Sequence, residues 1–345
     1  MDRSLSGILK LVLPICFGVF LVWLFYDALC EEQKKELFSA FKEANYFWVF
    51  FSLIFGFLSH VSRAYRWKYL LEPMGYKPSF NVMYHSLMIG YVVNYLLPRA
   101  GEATRAGLLQ KYEKVPFEKG FGTILAERAI DLVMLGTVVL ITLGLQFDKL
   151  DIFKDAINGF GTIESCSSVN VFGIMGKIIT YGIILGFVAA VAGFIFSEKL
   201  RNKIKDLAKG VFQGIFSILK SKNKLPFIGH TLFIWVMYLL FFGICFPAFS
   251  ETGKIGVDGI MAGFVAGTIG IILVQGGIGV YPAFVGIILT IYLGEQGIDP
   301  TALALGWIIW CSQTAMMIVL GLISLFLLPR TKIKNGEQSP TESKG

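Results

Sequence analysis

Two charged clusters stand out in a chain that is otherwise poor in charge. The first is Asn94-Tyr95-Leu96-Leu97-Pro98-Arg99-Ala100-Gly101-Glu102-Ala103-Thr104-Arg105. Pro98 and Gly101 interrupt an apolar segment, and if helix resumes after them, Arg99, Glu102 and Arg105 recur every third residue on one face. A cation, anion, cation ladder could hold an anionic headgroup, since the planar guanidinium fork suits phosphate. It could equally be an ion pair that anchors the turn. The second cluster is Glu127-Arg128-Ala129-Ile130-Asp131. Glu127 and Asp131 are four residues apart and share a helical face, with Arg128 able to reach Asp131. A charge at the centre of a span costs roughly 2.5–3.5 kcal/mol on insertion scales, so such residues turn toward a partner or a cavity. A structural network with Arg99 or Arg105 meets that need, and so does direct contact with a substrate. Asn94, Arg99, Glu102, Arg105, Glu127, Arg128 and Asp131 are therefore the candidate substrate-binding set. Arg105→Ala is expected to spare stability and lose function, and Asp131→Ala to lose both.

The remaining polar residues suggest less chemistry. Arg63, Arg66 and Trp67 close an apolar stretch and read as snorkelling and aromatic-belt residues. His60, His85 and His230 are isolated, without metal-ligand spacing, and read as packing residues. No nucleophile elbow, P-loop, Asp-x-Asp pair or metalloprotease helix occurs, so neither a metal nor a cofactor is expected. Cys16, Cys30, Cys166, Cys245 and Cys311 are odd in number and scattered, which excludes a disulfide framework and a zinc site. Cys30 and Cys166 fall on one side of the expected topology and could pair, but free thiols are the preferred reading.

These residues are carried by elements that the composition places in a bilayer. Of 345 residues, 55% are hydrophobic and 16% charged, more apolar surface than one soluble core could hide. Eight stretches lack Asp, Glu, Lys and Arg: Leu11 to Tyr26, Ala44 to Ser62, Phe80 to Pro98, Leu132 to Phe147, Ile178 to Ser197, Leu225 to Ser250, Gly259 to Gly294 and Pro300 to Pro329. A crossing helix needs roughly 20 such residues. The net charge of +7 lies in the loops between these stretches, where it orients helices and meets anionic lipid, so nucleic acid is excluded as a partner. The first stretch is followed by no Ala-x-Ala site and reads as a retained anchor.

Loop charge sets the threading. Lys199, Arg201, Lys203, Lys205, Lys209, Lys220, Lys222 and Lys224 oppose only Glu198 and Asp206, so that loop belongs to the cytoplasm. Asp148, Asp151, Asp155 and Glu164 mark the opposite side. From a cytoplasmic N-terminus, a full crossing by Phe80 to Pro98 would put Lys111, Lys114 and Lys119 outside, and the eight-cation loop with them. The conflict disappears if residues 80–112 form a re-entrant hairpin. Gly259 to Gly294 is likewise too long for one crossing and too short for two, and its nine glycines and Pro282 suggest a second hairpin turning at Gln275-Gly276-Gly277-Ile278-Gly279. Irregular backbone at membrane depth must line protein or a watery cavity, and a broken segment in each half points to a transport site in inverted repeats. The expected fold is an all-α polytopic integral membrane protein with about six full transmembrane helices plus two re-entrant hairpins. Eight ordinary transmembrane helices, with glycine used for close packing, is the alternative. Residues 1–330 form a single transmembrane domain, and 331–345 a disordered cytoplasmic tail. Leu200, Ile204, Leu207, Val211, Ile215 and Ile218 make a basic amphipathic helix on the inner leaflet, and Leu37, Phe38 and Phe41 a smaller one outside.

The chain resembles the lysylphosphatidylglycerol synthase transmembrane-domain family of flippase-like membrane proteins. The resemblance rests on Arg66-Trp67 with Leu70-Leu71 and Gly75, on Asn94, Leu97-Pro98, Gly101-Glu102 and Arg105, on Glu127-Arg128 with Asp131, and on Gly276-Gly277-Ile278-Gly279. It implies a protein of the bacterial inner membrane that moves anionic or lipid-linked headgroups between leaflets, while the loop charges and six crossings put both termini in the cytoplasm. The soluble aminoacyl-transferase domain of some members is not expected after Pro329, so lipid aminoacylation is not implied. Leu273, Gln275, Pro282 and Trp310 stand where the family commonly has other residues, leaving the second hairpin without charge. An intramembrane enzyme using Glu127 or Asp131 as acid or base, and a non-catalytic scaffold for envelope synthesis, are the rival functions. No feature of the sequence assigns an oligomeric state.

Overall fold

The computed structural model describes residues 16, 18–20, 22–23, 26–27, 29–97, 100–147, 198, 224–295 and 298–330. All regular structure among them is helical. In chain order the helices are α1 (Glu31–Glu43), α2 (Tyr46–Leu71), α3 (Phe80–Leu96), α4 (Ala100–Glu113), α5 (Phe117–Leu145), α6 (Lys224–Gly243), α7 (Val257–Leu273), α8 (Val280–Leu293) and α9 (Pro300–Leu327). Among the described residues three helical stretches are long and apolar enough to cross a bilayer: Tyr46–Met74, Lys224–Ala248 and Pro300–Arg330. Their outward faces are apolar too, as exposed Phe47, Phe50, Val236 and Phe326 illustrate, which suits lipid as solvent.

The chain divides into two compact units, each assembled from separated segments. One draws on Met1–Ser52, Leu135–Phe212 and Leu239–Ser312, the other on Leu53–Met134, Gln213–Tyr238 and Gln313–Gly345. Each contains one helix hairpin. The loop of basic residues 199–223, the acidic segment 148–164 and the tail 331–345 lie outside the described residues, and so do the amphipathic face expected over 200–218 and Cys166.

In the first unit α7 and α8 pack antiparallel along a column of glycines. A Cβ on Gly259 would meet the Tyr292 ring, one on Gly263 would meet Leu289, and one on Gly270 would lie 3.0 Å from Tyr281 Cα. The sequence separations shrink steadily along the column, as two arms folded back on each other require, and small residues let the backbones approach. The arms are joined through Val274 to Gly279. Gly276, Gly277 and Gly279 have φ of 69°, 71° and 74°, conformations a side chain disfavours. Trp310 Nε1 donates to the Gly276 carbonyl at 2.7 Å, satisfying an acceptor that the turn leaves without a helical partner. The arms have 17 and 14 residues, about 25 and 21 Å at 1.5 Å per residue. Each is shorter than the roughly 30 Å hydrocarbon core.

Hairpin α3–α4 in the second unit has the same arm lengths, 17 and 14 residues. Its closest approach is Gly90 against Gly101, where a Cβ on either residue would press on the other's carbonyl oxygen. Asn94 Oδ1 accepts the Gly101 N–H at 2.7 Å, one of the donors that the first turn of α4 cannot satisfy itself. At the base of the hairpin, Glu113 Oε1 accepts from the Ser79 N–H at 2.8 Å and from its hydroxyl at 2.6 Å. Trp67, Leu71, Met83, Leu109 and Ile124 pack behind it as a core.

Two expectations about smaller features need adjustment. The helix expected around Leu37, Phe38 and Phe41 is present as α1, where Leu37 is buried and Phe38 exposed. Cys30, expected to be a free thiol, is disulfide-bonded, while Cys16, Cys245 and Cys311 are free.

Candidate functional site

The second unit buries a cluster of charges contributed by α2, α4 and α5. On α2, Arg63 and Arg66 are three residues apart and so emerge on one side of the helix. They point inward: Arg63 is 5% and Arg66 0% exposed. On α5, Glu127 and Asp131 present the matching side one turn apart. Arg63 Nε donates to Glu127 Oε1 at 2.7 Å, and its Nη2 to Asp131 Oδ2. Arg66 Nη2 reaches Glu127 Oε1 at 3.1 Å and Asp131 Oδ1 at 2.8 Å. α6 completes the shell, with Tyr238 accepting from Arg63 at 2.9 Å and Thr231 from Arg66 at 3.1 Å.

Arg105 of α4 is the third arginine. Its Nη2 lies 2.9 Å from Glu127 Oε2 as an ion pair. Its guanidinium lies over the Trp67 ring, 3.8 Å from the centroid, a distance at which the negative ring face attracts a cation. Trp67 is itself held by an Nε1 donation to Thr123 Oγ1 at 2.8 Å. Three guanidiniums thus face two carboxylates, a surplus of one positive charge away from water. Arg66 Nε and Arg105 Nε are buried and have no hydrogen-bond acceptor among the described residues.

Arg128 leaves this cluster and pairs elsewhere. Its Nη2 lies 3.0 Å from Glu102 Oε1, so the contact with Asp131 expected from spacing is replaced by one from α5 to α4. Asn94 Nδ2 donates to Glu102 Oε2 at 3.3 Å. Tyr91, Asn94, Glu102, Arg105 and Arg128 surround a niche of about 10 Å³, room for roughly one water. The structure therefore brings together Asn94, Glu102, Arg105, Glu127, Arg128 and Asp131 of the candidate set. Pro98 and Arg99 lie outside the described residues, as does the side chain of Gln275. Gly101 sits in the hairpin contact; Gly276, Gly277 and Gly279 sit in the second hairpin's turn.

Two assignments change. Arg63, Arg66 and Trp67 are buried parts of the network, not residues snorkelling to an interface. Because Arg105 is 3% exposed and is the partner of Glu127 Oε2, the expectation that Arg105→Ala spares stability is reversed. The complementary spacing of two arginines on one helix and two carboxylates on another was a signal for this network. The histidines do pack: His85 Nδ1 bonds Ser324 at 2.9 Å, His230 Nδ1 bonds Ser62 at 2.8 Å, and His60 lies against Tyr91.

Crossing-length apolar helices, two hairpins with arms too short to cross, and ionic groups buried against one another define a multi-pass α-helical membrane protein. The chain belongs to the lysylphosphatidylglycerol synthase TM region family, whose match covers residues 8–334. A UPF0104 membrane protein of Methanothermobacter thermautotrophicus is 26% identical over 283 residues, 78% of this chain and 81% of its own length. A second UPF0104 membrane protein, from Methanocaldococcus jannaschii, is 31% identical over 87 residues, 24% of this chain and 26% of its own length. No solved structure matches the chain.

Proposed function

We propose that this protein is a lipid flippase or transporter of the cytoplasmic membrane that moves an anionic or lipid-linked headgroup between leaflets. It has about six crossings, two re-entrant hairpins, and both termini in the cytoplasm. The observation that carries the reading is the surplus positive charge around Glu127 and Asp131, next to a polar niche in a broken helix pair. A buried cationic surplus is costly unless an anion compensates it, and a headgroup phosphate drawn against Arg128 at the rim of the niche, which itself has room only for a water, supplies that anion. Arg128 is 44% exposed along its side chain and is the residue that contacts the headgroup. Arg105 sets the potential from behind. The rival enzyme reading loses support because each carboxylate is shared between arginines, which leaves neither free as a general base.

The test is a leaflet-resolved assay in proteoliposomes with headgroup-labelled phosphatidylglycerol and phosphatidylcholine. The wild-type protein should move the anionic lipid faster. A charge-assisted contact contributes roughly 1.5–3 kcal/mol, so Arg128→Gln should slow movement by about tenfold or more. Its melting temperature should stay near wild type, because exposed pairs contribute only about 0–1 kcal/mol. Wild-type rates in folded Arg128→Gln, or no movement by the wild-type protein, would overturn the proposal.

A further inference from the structure

A second feature of the same unit lies away from the niche. α2 and α6 run antiparallel, as the pairs Arg63 with Tyr238 and Arg66 with Phe227 require. On their outer side they leave an open groove of about 500 Å³ lined by Leu58, Val61, Tyr65, Gly229, His230 and Phe233 among others. That is within the roughly 300–1,000 Å³ of sites for single small molecules. Its walls are apolar and in part exposed, Tyr65 by 40% and Phe233 by 42%.

The polar groups of the groove are confined to one end. The His230 ring stacks on Tyr65 at 5.5 Å and lies 5.6 Å from Tyr69. Its Nδ1 is taken by Ser62, while its Nε2 has no hydrogen bond among the described residues. The Lys68 ammonium lies 5.6 Å from the centroid of Tyr65, with Glu72 3.5 Å from it. Lys224 opens α6 two residues before Pro226 of the groove wall, and it is exposed. Lys68, its partner Glu72 and Lys224 leave a net single positive charge beyond one end of an apolar trough, the polarity that suits an anionic amphiphile.

We propose that this groove seats one acyl chain of an anionic phospholipid, with the phosphate against Lys68 and Lys224 and the His230 Nε2–H donating to an ester or phosphate oxygen. The site is a standing lipid-binding site and does not depend on the transport reading: it uses none of the niche residues and its test measures no transport. Gly229 offers direct access to it, because a Cβ there meets nothing within 4 Å. A larger side chain at this position enters the groove without displacing packed atoms.

The experiment is native mass spectrometry of the full-length, lipid-stripped protein titrated with dioleoyl phosphatidylglycerol or dioleoyl phosphatidylcholine. The wild-type protein should hold one phosphatidylglycerol about tenfold more tightly than phosphatidylcholine, and Gly229→Trp should weaken that binding by about tenfold or more. Leu58→Trp fills the groove from the opposite wall and should act alike. Lys68→Gln combined with Lys224→Gln should bring phosphatidylglycerol down to the affinity of phosphatidylcholine, and because both side chains are at the surface this variant reads out whether or not the filled-groove variants fold. Unchanged binding by folded Gly229→Trp would overturn the proposal. So would equal affinity for the two lipids in the wild-type protein, or a lipid-free dimer that Gly229→Trp disperses, which would make a second copy the occupant.

Discussion

The charge cluster makes an energetic prediction that separates its members. Glu127 offers one oxygen to Arg63 and Arg66 and the other to Arg105. Glu127→Gln keeps the shape but leaves three guanidiniums facing Asp131 alone. Breaking a buried pair costs roughly 3–5 kcal/mol, and with three arginines affected at once the loss should fall at the top of that range. Arg105→Gln strands a single carboxylate oxygen, costing about 1–3 kcal/mol, and gives up the contact with Trp67, about 0.5–2 kcal/mol. The double variant restores the wild-type surplus of one positive charge, and the two losses share an interaction. It should therefore be less destabilised than the sum of the singles by about 2 kcal/mol, within the roughly 0.5–3 kcal/mol seen for residues in contact. The measurement is unfolding free energy in detergent micelles for the wild-type protein and the three variants. Additivity to within about 0.5 kcal/mol, or a Glu127→Gln protein as stable as wild type, would show that the cluster is not electrostatically coupled as its geometry requires.

Two further outcomes are expected. Gly101→Ala places a methyl group against the Gly90 carbonyl and the Asn94 side chain, so it should destabilise by about 1–3 kcal/mol and lower the yield of folded protein; a wild-type melting curve would argue against the tight crossing of α3 and α4. Asp299 lies just before α9 and its Oδ1 accepts the Ala302 N–H at 2.6 Å, while burial, the largest influence, pushes its carboxyl above the ordinary range. Its folded value being raised, the stability it contributes is complete below the unfolded carboxyl range and is lost as pH rises through the folded value. Asn caps as well as Asp without carrying the charge, so Asp299→Asn should be slightly more stable than wild type at pH 8 and indistinguishable at pH 3 in pH-dependent melting.

The hairpins were legible because their signal is coarse. The first followed from loop charge, because a full crossing by Phe80 to Pro98 puts two basic loops on the wrong side, and the second from a charge-free run of the wrong length broken by Gly276, Gly277 and Gly279. Arg63 and Arg66 were not legible by the same means. An arginine near the end of an apolar span looks alike whether it snorkels to headgroups or turns inward, and only the position of α5 decides. Glu127 and Asp131 were recognised as needing partners, but their partners lie 64 and 65 residues away on a helix whose rotation the sequence does not encode locally. Arg128 was misdirected for a related reason: spacing favoured a neighbour on its own helix, whereas the fold of α3 against α4 brings Glu102 closer.

The separation of Arg63 from Glu127 also has a consequence for how the protein is made. The two arginines of α2 leave the ribosome 64 and 61 residues ahead of the first carboxylate that neutralises them, an interval of about 3 to 13 s at 5–20 residues per second. During it the long arginine stems can lift their charges to the headgroups from near the end of α2. When α5 arrives, its own carboxylates make it a poor candidate for independent insertion. Entry of α5 into the bilayer and its pairing with α2 are therefore one coupled event, and biogenesis rather than the finished structure is where loss of a single member of this cluster is first felt.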